Sequence, residues 1–197
     1  MATTIYLVRH GQTLFNFEHR IQGSSDSRLT KLGIKQVKAL RDYFNKHNIT
    51  FNKAYCSTQE RASDTLEILT GNELQYTRIG EIKERDYGFF EGRKDFLWSF
   101  RHFPVEPKVE STREVVERME RGMNLILRDA QDNDVILVVG HSDSMGQYLK
   151  QVANMKKFKG FDNASYVKMI SDGQMMEYVE SGWPAENVRI NLDGESI

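Results

Sequence analysis

Two arginines and two histidines stand where runs of apolar residues end. Arg9 and His10 close the first β-branched stretch, TTIYLV, and His141 closes DVILVVG. Arg61 follows the short run KAYCS, within STQER, in the first turn of a helical pattern. Arginine offers a planar fork that matches phosphate oxygens and keeps its proton. A histidine beside such charges stays largely neutral, which leaves one ring nitrogen as a nucleophile. A second, protonated histidine could hold the transferring oxygens. Phosphoryl transfer asks mainly for positioning and charge neutralisation, and these side chains supply both. Taken singly, each has a plainer reading: an Arg-His pair at a strand end is surface, and Arg61 is a solvated helix residue. Their joint occurrence at three separate strand ends argues for a phosphate pocket.

Such residues converge only if the elements bring them together. Thr3–Val8 reads as a strand. In LTKLGIKQVKALRDYFNKHN, Leu32, Val37, Leu40 and Phe44 recur near helical spacing, with Thr30 as N-cap. KAYCS is a short strand, and STQERASDTLEIL a helix for which Ser57 and Glu60 spell a capping box. LQYTRI is a further strand. The stretch 80–108 is irregular and aromatic-rich, with one short helix expected near Lys94–Arg101. Ser111 and Glu114 spell a second capping box, opening a helix to about Gln131. DVILVVGH is a buried strand, SMGQYLKQVAN a helix, and ASYVKMI with MMEYVE a hairpin turning at Asp172-Gly173. Alternating strands and helices predict an α/β fold with a mostly parallel central sheet, helices on both faces and a C-terminal β-hairpin. In such sheets ligands bind beyond the carboxyl ends of the strands, where Arg9, His10 and His141 lie.

Composition narrows the partners. The 197 residues carry a formal net charge of −1, so no global basic field favours nucleic acid. The one cysteine, Cys56, cannot form an internal disulfide and reads as a core residue in a reducing compartment. No signal peptide precedes the first strand, and no apolar run approaches the ~18 residues of a membrane span. The expectation is a cytoplasmic protein with no membrane or nucleic-acid partner. No His or Cys pairs fall at metal-ligand spacing, so neither metal nor cofactor is expected.

LVRHGQTLFN, IQG, LTKLGIKQ, STQERASDT, EIKERDYGFFEG and VVGHSDSM, in that order, resemble the motifs of the histidine phosphatase superfamily, in its phosphoglycerate-mutase-like branch. The resemblance runs from Tyr6 to about Val179. It implies a three-layer α/β/α sandwich over residues 1–197, a single domain with an aromatic-rich cover at about 86–110. By the same resemblance, His10 matches the nucleophile in the Arg-His-Gly element that includes Gly11. Arg9, Asn16, Arg61 and His141 match the phosphate pocket, and Gly11, Tyr87 and Ser142 are expected to bind substrate or phosphate beside them. Glu84 matches the acid that protonates the leaving oxygen and then activates water; near a bound phosphate, like charge favours the protonated carboxyl. Gln22 and Gly23 match a substrate-side loop, and Tyr87 lies beside the acid. His19, His47 and His102 match no catalytic position and read as surface.

The family's mutases close the site with a long basic insertion after the acid. Here only 92–111 is available, holding Phe96, Trp98, Phe100 and Phe103 among its basic residues. Hydrolysis of a small phosphomonoester through a phosphohistidine is therefore expected. The alternatives are a bisphosphoglycerate-dependent mutase and, in another class, a non-catalytic phospho-ligand module; the presence of His10, Glu84 and Arg61 speaks against the last. Arg85, Arg93 and Lys94 are candidates for a second acidic group on the substrate. After the distal histidine, Ser142-Asp143 replaces the Gly-Asn of the mutases, and Asp143 adds negative charge near the anion site. The oligomeric state is left open.

Overall fold

The computed structural model describes residues 2–96, 108–151, 153–173 and 175–189. Within them the strands β1 (Thr3–Arg9), β2 (Lys53–Ser57), β3 (Tyr76–Ile79), β4 (Val135–Gly140), β5 (Tyr166–Ser171) and β6 (Met176–Gly182) form one sheet. Their order across it is β3-β2-β4-β1-β5-β6. The first four of these run parallel. β5 pairs antiparallel with β1, and β6 completes the hairpin at that edge. The helices are α1 (Leu14–Phe17), α2 (Lys31–Lys46), α3 (Glu60–Thr70), α4 (Thr112–Asp129) and α5 (Ser142–Gln151).

Strand alternation explains the layering. Successive side chains of a strand point to opposite faces. Ile5 and Leu7 of β1 join Ile136 and Val138 of β4 in one core, sealed by Met119, Met123 and Ile126 of α4 and Met145 and Leu149 of α5. Tyr6, Val8, Leu137 and Val139 join the opposite core, with Val37, Leu40 and Phe44 of α2 and Ala62 and Leu66 of α3. The sheet is thus covered on both faces, as the uninterrupted apolar runs of β1 and β4 require. Cys56 is buried in the second core. Among the described residues, no helix is long and apolar enough to cross a membrane.

The chain leaves β1 through α2 on one face and leaves β4 through α5 on the other. Neighbouring connections diverge there and open a crevice at the carboxyl ends of the two strands, the switch point where such sheets bind ligands. The β1–β4 register ends with Arg9 opposite Gly140, so the next residues, His10 and His141, become neighbours. The turn after β1 lies directly on α2. A Cβ at Gly11 would stand 2.7 Å from both the Gly33 carbonyl oxygen and Val37 Cγ2, and one at Gly33 would stand 2.1 Å from the Gln12 carbonyl oxygen. Glycine at both positions is what permits this contact.

Several boundaries differ from the sequence reading. Thr30 and the Ser111–Glu114 box cap α2 and α4 as expected. The Ser57–Glu60 box does not form: Gln59 occupies the N-cap position of α3 without a side-chain cap bond. Ser57 is still the last residue of β2, and its hydroxyl is engaged elsewhere. A box the sequence reading overlooked, Thr13 with Asn16, opens α1. Most of the short helix expected near Lys94–Arg101 lies outside the described residues, as do Trp98, Phe100, His102 and Phe103. The expected cover at about 86–110 is described only on its two flanks.

Candidate active site

The two imidazoles lie with ring centroids 5.3 Å apart. His10 Nδ1 is 2.8 Å from the Gly11 carbonyl oxygen. A carbonyl only accepts, so Nδ1 carries the proton and Nε2 keeps its lone pair. Burial, then the Arg61 and Arg9 guanidinium charges, hold His10 well below the ordinary histidine range. It is neutral at pH 7, the state a nucleophile needs. Burial, Arg61, His10 and Arg9 depress His141 in the same way. The expectation of a protonated second histidine is therefore corrected for the free site, where burial and the nearby guanidinium charges all disfavour the imidazolium. Its Nε2 is 2.7 Å from Ser57 Oγ. That hydroxyl also accepts the Gln59 N–H at 3.2 Å and lies 3.5 Å from Gln59 Oε1, so the tautomer of His141 decides whether Ser57 donates to Nε2 or accepts from it.

Each arginine is anchored by one edge of its fork. Arg9 donates through Nη1 to the Phe161 carbonyl at 2.7 Å. Arg61, 1% exposed, donates to the Ser25 carbonyl at 2.9 Å, to Asp26 Oδ1 at 3.0 Å and to the Gly23 carbonyl at 2.8 Å. The Nε of Arg9, the Nε of Arg61 and the Nδ1 of His141 are buried and have no hydrogen-bond partner among the described residues. Leaving a buried donor unsatisfied costs about 1–3 kcal/mol. Two guanidinium N–H groups and the ring nitrogen of a second imidazole whose centroid lies 5.3 Å from that of His10 are suited to a tetrahedral oxyanion. Arg9 and Arg61 line a cleft of about 410 Å³ whose walls also include His10, Asn16, Gln22, Gly23, Glu84, Tyr87 and Ser142; His141 is not in its lining. Gly11 faces α3 instead, donating its N–H to Thr65 Oγ1 at 3.1 Å.

Glu84 is held at the amino end of α5. Its carboxyl group accepts the N–H groups of Arg85 and Ser144, both at 2.9 Å, and of Asp143 at 3.2 Å. Arg118 of α4 ties down the loop before it, donating to the carbonyls of Glu81 at 2.8 Å, Lys83 at 2.7 Å and Glu84 at 3.2 Å. Its fork also pairs with the Glu110 carboxylate.

The three cations expected to bind a second acidic group are otherwise engaged. Arg85 is buried, pairs with Asp143, and donates to the Glu110 carbonyl and Thr112 Oγ1. The negative charge that Asp143 adds is thereby offset within the protein. The Arg93 guanidinium lies over the Phe89 ring, 3.6 Å from its centroid, and donates to the Phe89 carbonyl. Lys94 donates to the Glu18 carbonyl at 2.7 Å. His19 and His47 are exposed.

The sequence reading missed several supports. Buried Gln59 links three parts of the site: Nε2 donates to the Gly23 carbonyl at 2.7 Å, and Oε1 accepts the Glu84 N–H at 2.9 Å. Asn163 donates to the His10 carbonyl at 3.1 Å and to Asn16 Oδ1 at 3.2 Å. Glu91 accepts the N–H groups of Ser24 at 2.7 Å, Ser25 at 2.8 Å and Tyr87 at 3.1 Å. Burial alone would raise its carboxyl, but the bonds from Ser25, Ser24 and Tyr87 bring it below the ordinary range. Ser57 and Gln59 share the STQER segment with Arg61, which was a usable signal; Asn163 is far from His10 in sequence and carried none. Among the described residues, no group of three or more His, Cys, Asp or Glu side chains is placed to hold a metal ion.

Comparison with known proteins places the chain in a family. The chain is 26% identical over 195 residues to the uncharacterized phosphatase PhoE of Bacillus subtilis, across 96% of this chain and 95% of that one. It is 30% identical over 162 residues to the 2,3-bisphosphoglycerate-dependent phosphoglycerate mutase of Rhizobium etli, across 74% of this chain and 77% of the other. The crystal structure of phosphoglycerate mutase from Bacillus anthracis superposes with a TM-score of 0.83 at 24% identity, covering 93% of this chain and 94% of that one. That likeness speaks for the fold; the sequence relatives include both phosphatases and mutases. Residues 5–183 match the family directly, and the chain belongs to the histidine phosphatase superfamily, branch 1.

Proposed function

We propose that the protein hydrolyses a small phosphomonoester through a phosphohistidine on His10. The observation that supports this reading is the set of three unpartnered buried nitrogens, Nε of Arg9, Nε of Arg61 and Nδ1 of His141, near a neutral imidazole with a free lone pair. His10 Nε2 attacks phosphorus while the bond to the leaving oxygen breaks. The Glu84 carboxyl gives that oxygen its proton, and the alcohol departs. The Glu84 carboxylate then takes a proton from water, whose oxygen attacks phosphorus. The P–N bond breaks, and orthophosphate and neutral His10 result. Arg9, Arg61 and His141 hold the three equatorial oxygens, where charge spreads in the transition state.

Hydrolysis is favoured over mutase chemistry by two observations. The stretch from 92 to 111 is short for a cover that excludes water. Arg85, Arg93 and Lys94 serve the fold rather than a phosphoglycerate. The test is hydrolysis of an aryl phosphate with chelator present. Turnover that disappears in His10→Ala, with a ³²P label stable in alkali and labile in acid, supports the proposal. Isomerisation of phosphoglycerate that depends on added bisphosphate would replace it with the mutase reading.

A further inference from the structure

The cleft continues beyond the phosphate pocket along α5. Asp143, Gly146, Gln147 and Lys150 all line it, and their i, i+3, i+4, i+7 spacing is one face of the helix. Gly146 stands inside that helix, where glycine is the poorest choice after proline. A Cβ there would meet nothing within 4 Å, and one at Gly160 across the cleft would meet only Ser142 Oγ, at 3.8 Å. The floor is therefore bare and open. Lys150 and Lys159 line this end. Neither ammonium has a hydrogen bond or ion pair among the described residues. Of the nearby acids, Asp143 is paired with Arg85, and Asp95 lies 3.7 Å from His19.

Resting on the hydrolase reading, we propose that Lys150 and Lys159 form a second anion site, so that the preferred substrate is an elongated phosphomonoester with another acidic group at its far end. Eight residues separate Ser142 from Lys150, about 12 Å of helix axis at 1.5 Å per residue, and a lysine side chain leans back toward the helix start. The two anions are then on the order of 10 Å apart, a spacing that a hexyl chain covers and a three-carbon acid does not. The second group is a carboxylate or a phosphate; ammonium recognises both.

The probes are 6-phosphooxyhexanoate, hexane-1,6-diol bisphosphate, hexyl phosphate and 3-phosphoglycerate. The wild-type protein should favour at least one of the two long bis-acids over hexyl phosphate by about tenfold in kcat/KM, and which one identifies the group. That ratio should fall toward one in the double variant Lys150→Ala, Lys159→Ala. It should persist in Lys156→Ala, an exposed lysine outside the cleft lining, and shrink as salt is raised. A wild-type ratio near one, a ratio unchanged in the double variant, or a preference for 3-phosphoglycerate would overturn the site. Failure to turn over any of the four probes would count against the hydrolase reading instead. The ratio of Kd values for hexyl phosphate and the bis-acids, measured on the His10→Ala protein, would then decide the anion site by the same criteria.

Discussion

Replacing Gln59 by leucine tests whether one buried amide holds the acid in place. The substitution keeps the volume and removes two short bonds, to the Gly23 carbonyl at 2.7 Å and from the Glu84 N–H at 2.9 Å, together with a long one from Ser57 Oγ at 3.5 Å. Gly23 retains its bond from Arg61, but the Glu84 N–H is left facing an apolar side chain. The two short bonds and one stranded donor come to about 2–4 kcal/mol. For a chain of this size that lowers Tm by roughly 5–15 °C. If the loop shifts to recover a partner, the loss moves from stability to catalysis, because Glu84 moves with it. The two outcomes are separated by leaving group. Nitrophenolate departs without a proton, whereas an alkoxide needs one. Displacement of Glu84 should therefore cut kcat/KM for hexyl phosphate ten- to hundredfold, with a much smaller loss for p-nitrophenyl phosphate. Glu84→Gln sets the limit of that difference. A variant with wild-type Tm and an unchanged alkyl-to-aryl ratio would refute the bridging role.

Two further outcomes follow from the same geometry. His10 and His141 are held neutral in the folded protein, while an unfolded histidine titrates near 6.5. Below that pH the unfolded chain binds protons that the native site refuses. Stability is thus full above about pH 6.5 and falls as pH drops from there toward the depressed native values, by up to about 1.4 kcal/mol per pH unit for each histidine. Thermal melts from pH 7.5 to 5 at fixed ionic strength should show this slope, flattened in His141→Asn; a flat wild-type profile would contradict it. Gly11→Ala places a methyl 2.7 Å from the Gly33 carbonyl and Val37. Overpacking of this kind costs about 1–3 kcal/mol, and the turn that orients His10 must shift, so both Tm and turnover should drop. Unchanged values of both would show that the turn does not depend on that contact.

Much of the scaffold was legible because its signals are local. The unbroken apolar runs at Ile5–Val8 and Ile136–Val139 announce strands covered on both faces, and Thr30 and Ser111 mark helix starts through their own side chains. Ser57 shows where local reading fails. Its type and spacing fit a cap, but β2 continues through it and its hydroxyl meets His141, 84 positions away. Arg85 shows the same from the other side. Beside the acid it looks available to substrate, yet Asp143 and Thr112 claim its fork.

Residue types at the strand ends, together with the alternation of strands and helices, determined from the sequence alone that two imidazoles and two guanidinium groups would meet at one sheet edge. The rule linking strand ends to ligand sites needs only element order. Tertiary structure alone decided which polar groups are satisfied by the protein and which remain for a ligand. That distinction depends on distances between segments far apart in the chain: Arg9 with Phe161, His141 with Ser57, Glu84 with the start of α5. Hydrogen bonds act over about 3 Å, so only strand register and helix placement determine that Arg85 is occupied while Lys150 and Lys159 stand open along the cleft.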